Sequence, residues 1–136
     1  MSAPVLLVNY DSSLRRKIRQ SLEAMGYGVV EDEDAENGLL TLRASKDSMV
    51  VLFNVAFHKN TMAGTDGVAF LGAAASDVRL AQRHAFIILT PTPDHLDAAL
   101  GRLLNRLSIP ILAEPVDLDE VCRTVHAAER HLLVNA

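Results

Sequence analysis

The sequence predicts one α/β domain in which five strand-helix units build a parallel sheet covered on both faces. Three observations carry that prediction. Short runs such as Val5-Leu6-Leu7-Val8, Met49-Val50-Val51-Leu52-Phe53 and Phe86-Ile87-Ile88-Leu89 are almost continuously apolar, as strands buried on both faces must be. Between the runs, apolar residues recur at helical spacing. Capping and breaking residues stand at the joints between the two patterns.

Taken in order, Pro4 to Val8 is the first strand. Leu14, Ile18, Leu22 and Met25 then mark an amphipathic helix, with Asp11, Ser12 or Ser13 to cap its start and Gly26 to end it. A short second strand is expected over Tyr27 to Glu31, and Ala35, Leu39 and Leu42 give a second helix. Met49 to Phe53 forms the third strand. After a long loop, Val68, Leu71 and Ala75 predict a third helix, made small on one side by Ala73, Ala74 and Ala75. Phe86 to Leu89 is the fourth strand. Asp94 to Leu107 carries Leu96, Leu100, Leu103 and Leu107, with Pro93 suited to a first turn. Ile109 to Ala113 is the fifth strand. The capping box Asp117-Leu118-Asp119-Glu120 opens the last helix, which turns Val121, Val125, Ala128 and Leu132 inward.

Bulk properties exclude several function classes. A chain of 136 residues fits a single domain, 1–136, that needs no staples to hold its core. With 49% apolar and 22% charged residues, it is a folded globular chain and not a disordered one. A lone cysteine, Cys122, forbids an internal disulfide and suits a reducing compartment, so a cytoplasmic location is expected. A net charge of −4 disfavours nonspecific binding to nucleic acid or anionic lipid. The start MSAPVLLVN is no secretory signal, and no run is long enough to span a membrane.

Together, Pro4-Val5-Leu6-Leu7-Val8-Asn9-Tyr10-Asp11, the helix to Gly26, Asp66-Gly67, Ile87-Ile88-Leu89-Thr90 and Ala113-Glu114-Pro115 resemble the receiver domain of bacterial response regulators, CheY-like proteins of two-component phosphorelays. Their order and spacing carry the resemblance, and it covers nearly the whole chain. It implies a flavodoxin-like, doubly wound sheet of order 2-1-3-4-5 with a pocket at the carboxyl ends of its strands. In that family two acids after strand one hold Mg²⁺, an aspartate ending strand three is phosphorylated, strand four ends in Ser or Thr, and strand five ends in Lys before Pro. Hard oxygen ligands bind the metal, and the metal, lysine and hydroxyl offset the charge of the transferred group.

The matching positions here are Asn9 and Tyr10, Asn54, Thr90, and Glu114 before Pro115. Only the threonine agrees with the pattern. An amide cannot form an acyl phosphate, so Asn54 excludes the usual chemistry. The acid pair has become an amide and a phenol, and the cation an anion. Asp11 is better used as a helix cap than as a metal ligand, and Asp66 belongs to a turn. The loop Val55 to Thr65, with His58, Lys59, Asn60 and Gly64, is longer than the family's connection. Where active receivers place an aromatic on strand five, this sequence has Ile111, and Thr90 leads into Pro91-Thr92-Pro93, whose two fixed φ angles stiffen the loop.

The pattern thus resembles a pseudo-receiver. The expected function is phosphorylation-independent protein-protein interaction with a signalling protein or a second copy of the chain, without catalysis, metal or cofactor, nucleic acid or membrane. Two alternatives remain: a sensor holding a small ligand or ion among Asn9, Tyr10, Asn54, Thr90 and Glu114, and a phosphoacceptor that uses another carboxylate. No DNA-binding output is expected, because only Val134-Asn135-Ala136 follow the last helix. The five histidines, at 58, 84, 95, 126 and 131, lack ligand spacing and are expected at the surface, as are the first helix's cations Arg15, Arg16, Lys17 and Arg19. Cys122 reads as an inert thiol, and Leu104, off the main apolar stripe, as a contact residue for a partner.

Overall fold

The computed structural model describes residues 3–8, 12–54, 71–91 and 98–134. Five strands, β1 (Val5–Val8), β2 (Val29–Asp32), β3 (Val50–Asn54), β4 (Ala85–Thr90) and β5 (Ile111–Ala113), pair in parallel in the order β2-β1-β3-β4-β5. The helices are α1 (Ser12–Ala24), α2 (Ala35–Ala44), α3 over residues 71–76, α4 (Val78–Arg83), α5 (Ala98–Arg106) and α6 (Leu118–Val134). This is the doubly wound α/β architecture and strand order expected from the sequence.

Alternation along the strands sorts the core into two layers. Leu6, Val8, Val51, Phe53 and Ile88 pack with Leu42, Leu71, Leu80 and Leu103 on the face covered by α2, α3, α4 and α5. Val5, Leu7, Val50, Leu52, Ile87 and Leu89 pack with Ile18, Leu22, Val121 and Val125 on the face covered by α1 and α6. Every residue of β1 and β3 is buried, which is why those runs carry no polar alternation before Asn54.

Two helix ends share one geometry. After α1, Gly26 takes a positive φ of 94°, its N–H donates to the Glu23 carbonyl at 3.0 Å, and the Tyr27 N–H donates to the Leu22 carbonyl at 3.1 Å. That is a Schellman cap. It moves Met25 onto the cap, where it is 67% exposed, so the inward stripe of α1 stops at Leu22 and not at Met25 as the spacing suggested. It also takes Tyr27 into the turn, so β2 begins at Val29. After α5, the Ser108 N–H donates to the Asn105 carbonyl at 3.2 Å and the Ile109 N–H to the Leu104 carbonyl at 3.0 Å. Here Ser108, with φ 54°, stands where glycine is preferred. The same turn absorbs Ile109 and shortens β5 to three residues.

The region of the third helix also differs from expectation. A separate helix, α4, which the spacing did not mark, follows it, started by the Asp77 side chain, which accepts from the Arg79 N–H at 3.0 Å. A local Asx cap outcompetes helix continuation there. Leu104 is buried at 2% exposure beside Leu103, so the apolar face of α5 is wider than a single stripe and Leu104 is core, not partner surface. At α6 the expected cap forms, with Asp117 Oδ1 accepting from the Asp119 N–H at 2.9 Å and the Glu120 N–H at 3.3 Å.

Candidate functional site

The carboxyl ends of β3, β4 and β5 bring three of the five singled-out residues together. Asn54 closes β3 in register with Leu89, and Thr90 closes β4 in register with Ala113. Glu114 follows β5 directly, and its N–H donates to the Thr90 carbonyl at 2.9 Å. The Glu114–Pro115 peptide is cis. Asn54 and Thr90 are buried, and Glu114 is half-buried. Asn9 and Tyr10 lie outside the described residues, as do Asp11, Asp66 and the loop from Val55 to Thr65.

Across β4, the Asn54 Nδ2 amide donates to Glu114 Oε1 at 3.1 Å. The direction of this bond follows from chemistry. An ionised carboxylate only accepts, so the carboxamide must turn its NH₂ toward Glu114. The acceptor is charged, which strengthens the bond over a neutral pair. Asn54 is therefore satisfied by a protein partner although it is 5% exposed, and its burial carries no unpaired-polar penalty at Nδ2.

Attack on phosphorus needs a carboxylate oxygen with a free lone pair and a cation beside it. At the two described positions, the end of β3 supplies an amide, whose nitrogen is no nucleophile, and the residue after β5 supplies a carboxylate where the resemblance implies a cation. Among the described residues no group of three or more His, Cys, Asp or Glu side chains is placed to hold a metal ion. Ile111, in register with Ile88 of β4, is 40% exposed and carries no polar edge to couple to Thr90.

Elsewhere, the basic face of α1 is partly committed to structure. Arg15 Nε meets Glu31 Oε1 at 3.2 Å, and Arg19 bridges Glu31 at 2.5 Å and Glu23 at 3.0 Å. These bonds tie α1 to edge strand β2, leaving Arg16 and Lys17 exposed. Cys122 is half-buried, and burial, with Asp119 nearby, raises its thiol above the ordinary value, in keeping with an unreactive group.

His84 was expected at the surface and lies in the interior. It is 3% exposed, caps the end of α4, and accepts the Met49 N–H on Nδ1 at 3.0 Å. Burial, helped by Arg83, lowers it to about 4, so the ring is neutral at pH 7. Its Nε2 is buried without a hydrogen-bond partner. Its place directly before the apolar run Ala85-Phe86-Ile87-Ile88 was a signal of burial. Of the other histidines, His126 and His131 are exposed as expected, whereas His58 and His95 lie outside the described residues.

No family model matches the chain, and no curated protein matches it. Solved structures do. A CheY-like receiver domain from Methanospirillum hungatei superimposes with a TM-score of 0.74 at 13% identity, covering 100% of both chains. The signal receiver domain of an HD domain-containing protein from Pseudomonas fluorescens gives 0.74 at 22% identity, over 98% of this chain and 99% of the other. A Francisella response regulator receiver domain gives 0.73 at 18%, over 95% and 98%. The fold is that of receiver domains throughout.

Proposed function

We propose that this chain is a two-component signalling receiver module that has abandoned phosphotransfer and acts by protein-protein contact. The observation that carries the reading is the Asn54–Glu114 hydrogen bond, in which the residue at the acceptor place is an amide and its partner, at the cation place, is an anion. The similarity of the fold to receiver domains along nearly its whole length supports the signalling context. The module recognises a signalling protein or a second copy of itself, and it carries no catalytic activity of its own. A cytoplasmic setting belongs to the same proposal. No helix among the described residues is long and apolar enough to cross a membrane.

The small-ligand reading is less favoured because Asn54 Nδ2, which would greet such a ligand, is already engaged by Glu114. A titration with Mg²⁺ and beryllofluoride, followed by backbone amide shifts, separates the readings. Beryllofluoride occupies a carboxylate-magnesium site as a phosphoryl group would. The interaction-module reading expects no saturable shift at the ends of β3, β4 and β5. Saturation at those positions would overturn it, with Mg²⁺ alone pointing to a cation sensor and both reagents together to a phosphoacceptor.

A further inference from the structure

The opposite end of the sheet from Asn54 holds a second concave feature. Where α5 turns into β5, a groove of about 840 Å³ opens between the 71–76 helix, the start of β4 and α6. Leu71, Ala74, Phe86, Ile109 and Leu132 contribute apolar walls, and His84 is part of the lining. The volume falls within the range of small-molecule sites, which are mostly apolar with a few placed polar groups.

His84 supplies the placed polar group. The Met49 N–H occupies Nδ1, so that nitrogen must offer a lone pair, and a neutral imidazole then carries its proton on Nε2. That Nε2–H is buried with no acceptor. A buried donor without a partner is costly, and native structures rarely leave one without a reason. Because the orphan group is a neutral donor, what it lacks is an acceptor and not an anion or a metal.

We propose that this groove binds a small, largely apolar molecule bearing one carbonyl-type acceptor, which lies against the aliphatic walls and takes the Nε2–H of His84. The site is separate from the Asn54–Glu114 end, so its occupancy does not depend on how the receiver pocket functions. It would give the module a ligand input that needs no phosphoryl group.

Acetophenone and toluene serve as probes of similar shape that differ in the acceptor. Each is titrated into the full chain at millimolar concentration, with His84 ring nitrogens and the amides of Ala75, Ala85, Ile109 and Leu132 followed by NMR. The expected result is saturable shifts for acetophenone that include the His84 Nε2 resonance, with roughly tenfold weaker binding of toluene, as one recovered hydrogen bond implies. In His84→Phe the two probes should bind alike. Absence of saturation, equal affinities in the native chain, or a ketone preference that survives in His84→Phe would each overturn the proposal. The comparison of probes in the native chain stands even if His84→Phe fails to fold.

Discussion

The carboxamide of Asn54 and the carboxylate of Glu114, sixty residues apart in sequence, meet at 3.1 Å and tie the end of β3 to the residue after β5. The bond accounts for two departures from the receiver pattern at once. An amide at position 54 donates, and an acid at position 114 accepts. A lysine at 114 would have nothing to offer the Nδ2 hydrogens, and an aspartate at 54 would face a like charge.

That pairing makes Asn54→Asp informative. Two carboxylates at this distance cannot both ionise without cost, and the pair should share a proton at a value above the ordinary carboxylate range. The variant is expected to lose on the order of 1 kcal/mol at pH 7. A raised folded-state value means that the penalty is full at high pH and relieved as pH falls through it. Denaturant melts at pH 7 and pH 5 check this: the deficit relative to the native chain should shrink at the lower pH, and a constant deficit would speak against direct repulsion.

Ser108 gives a stabilising substitution. Its φ of 54° places a non-glycine residue in the left-handed region at the cap of α5, where the exposed side chain contributes nothing to the core. Ser108→Gly should raise stability by about 0.5–1 kcal/mol, since relief of the left-handed strain outweighs the added freedom of the unfolded chain. The urea midpoint should rise with no change in slope. A fall would show that the serine side chain holds the turn.

His84 predicts acid sensitivity. Its folded value of about 4 lies below the unfolded value near 6.5, so the unfolded chain binds the extra proton first as pH falls. Stability from this group is complete above pH 6.5, drains between 6.5 and about 4, and amounts to at most about 3 kcal/mol. Melts between pH 7 and 5, above the range where most carboxylates titrate, should slope downward in the native chain and flatten in His84→Phe. An equal slope in both would assign the sensitivity to another group.

The central strands were legible because buried parallel strands are apolar on both faces and helices are not, whereas the strand order came from the resemblance. The end of β3 was legible for the same reason, with Asn54 the first polar residue after a buried run. Its partner's place was inferred by resemblance, whereas the contact itself is a product of topology and has no local signature. Local competition hid other features. The short helix α4 carried no stripe of its own and starts on the local Asp77 cap, and Leu104 looked peripheral because a single stripe underestimates the width of the buried face of α5. His84 was read from its polarity, although its neighbours in sequence are strand core. Asn9 and Tyr10 rest on the sequence alone.

The central claim, that the acceptor chemistry is gone, is tested most directly by intact mass after incubation with acetyl phosphate and Mg²⁺. No added phosphoryl group is expected on the native chain. None is expected on Asn54→Asp either, since Glu114 still stands where a cation is needed and each missing charge contributes separately to transition-state stabilisation. An alkali-labile phosphoryl adduct on any aspartate of the native chain would contradict the claim.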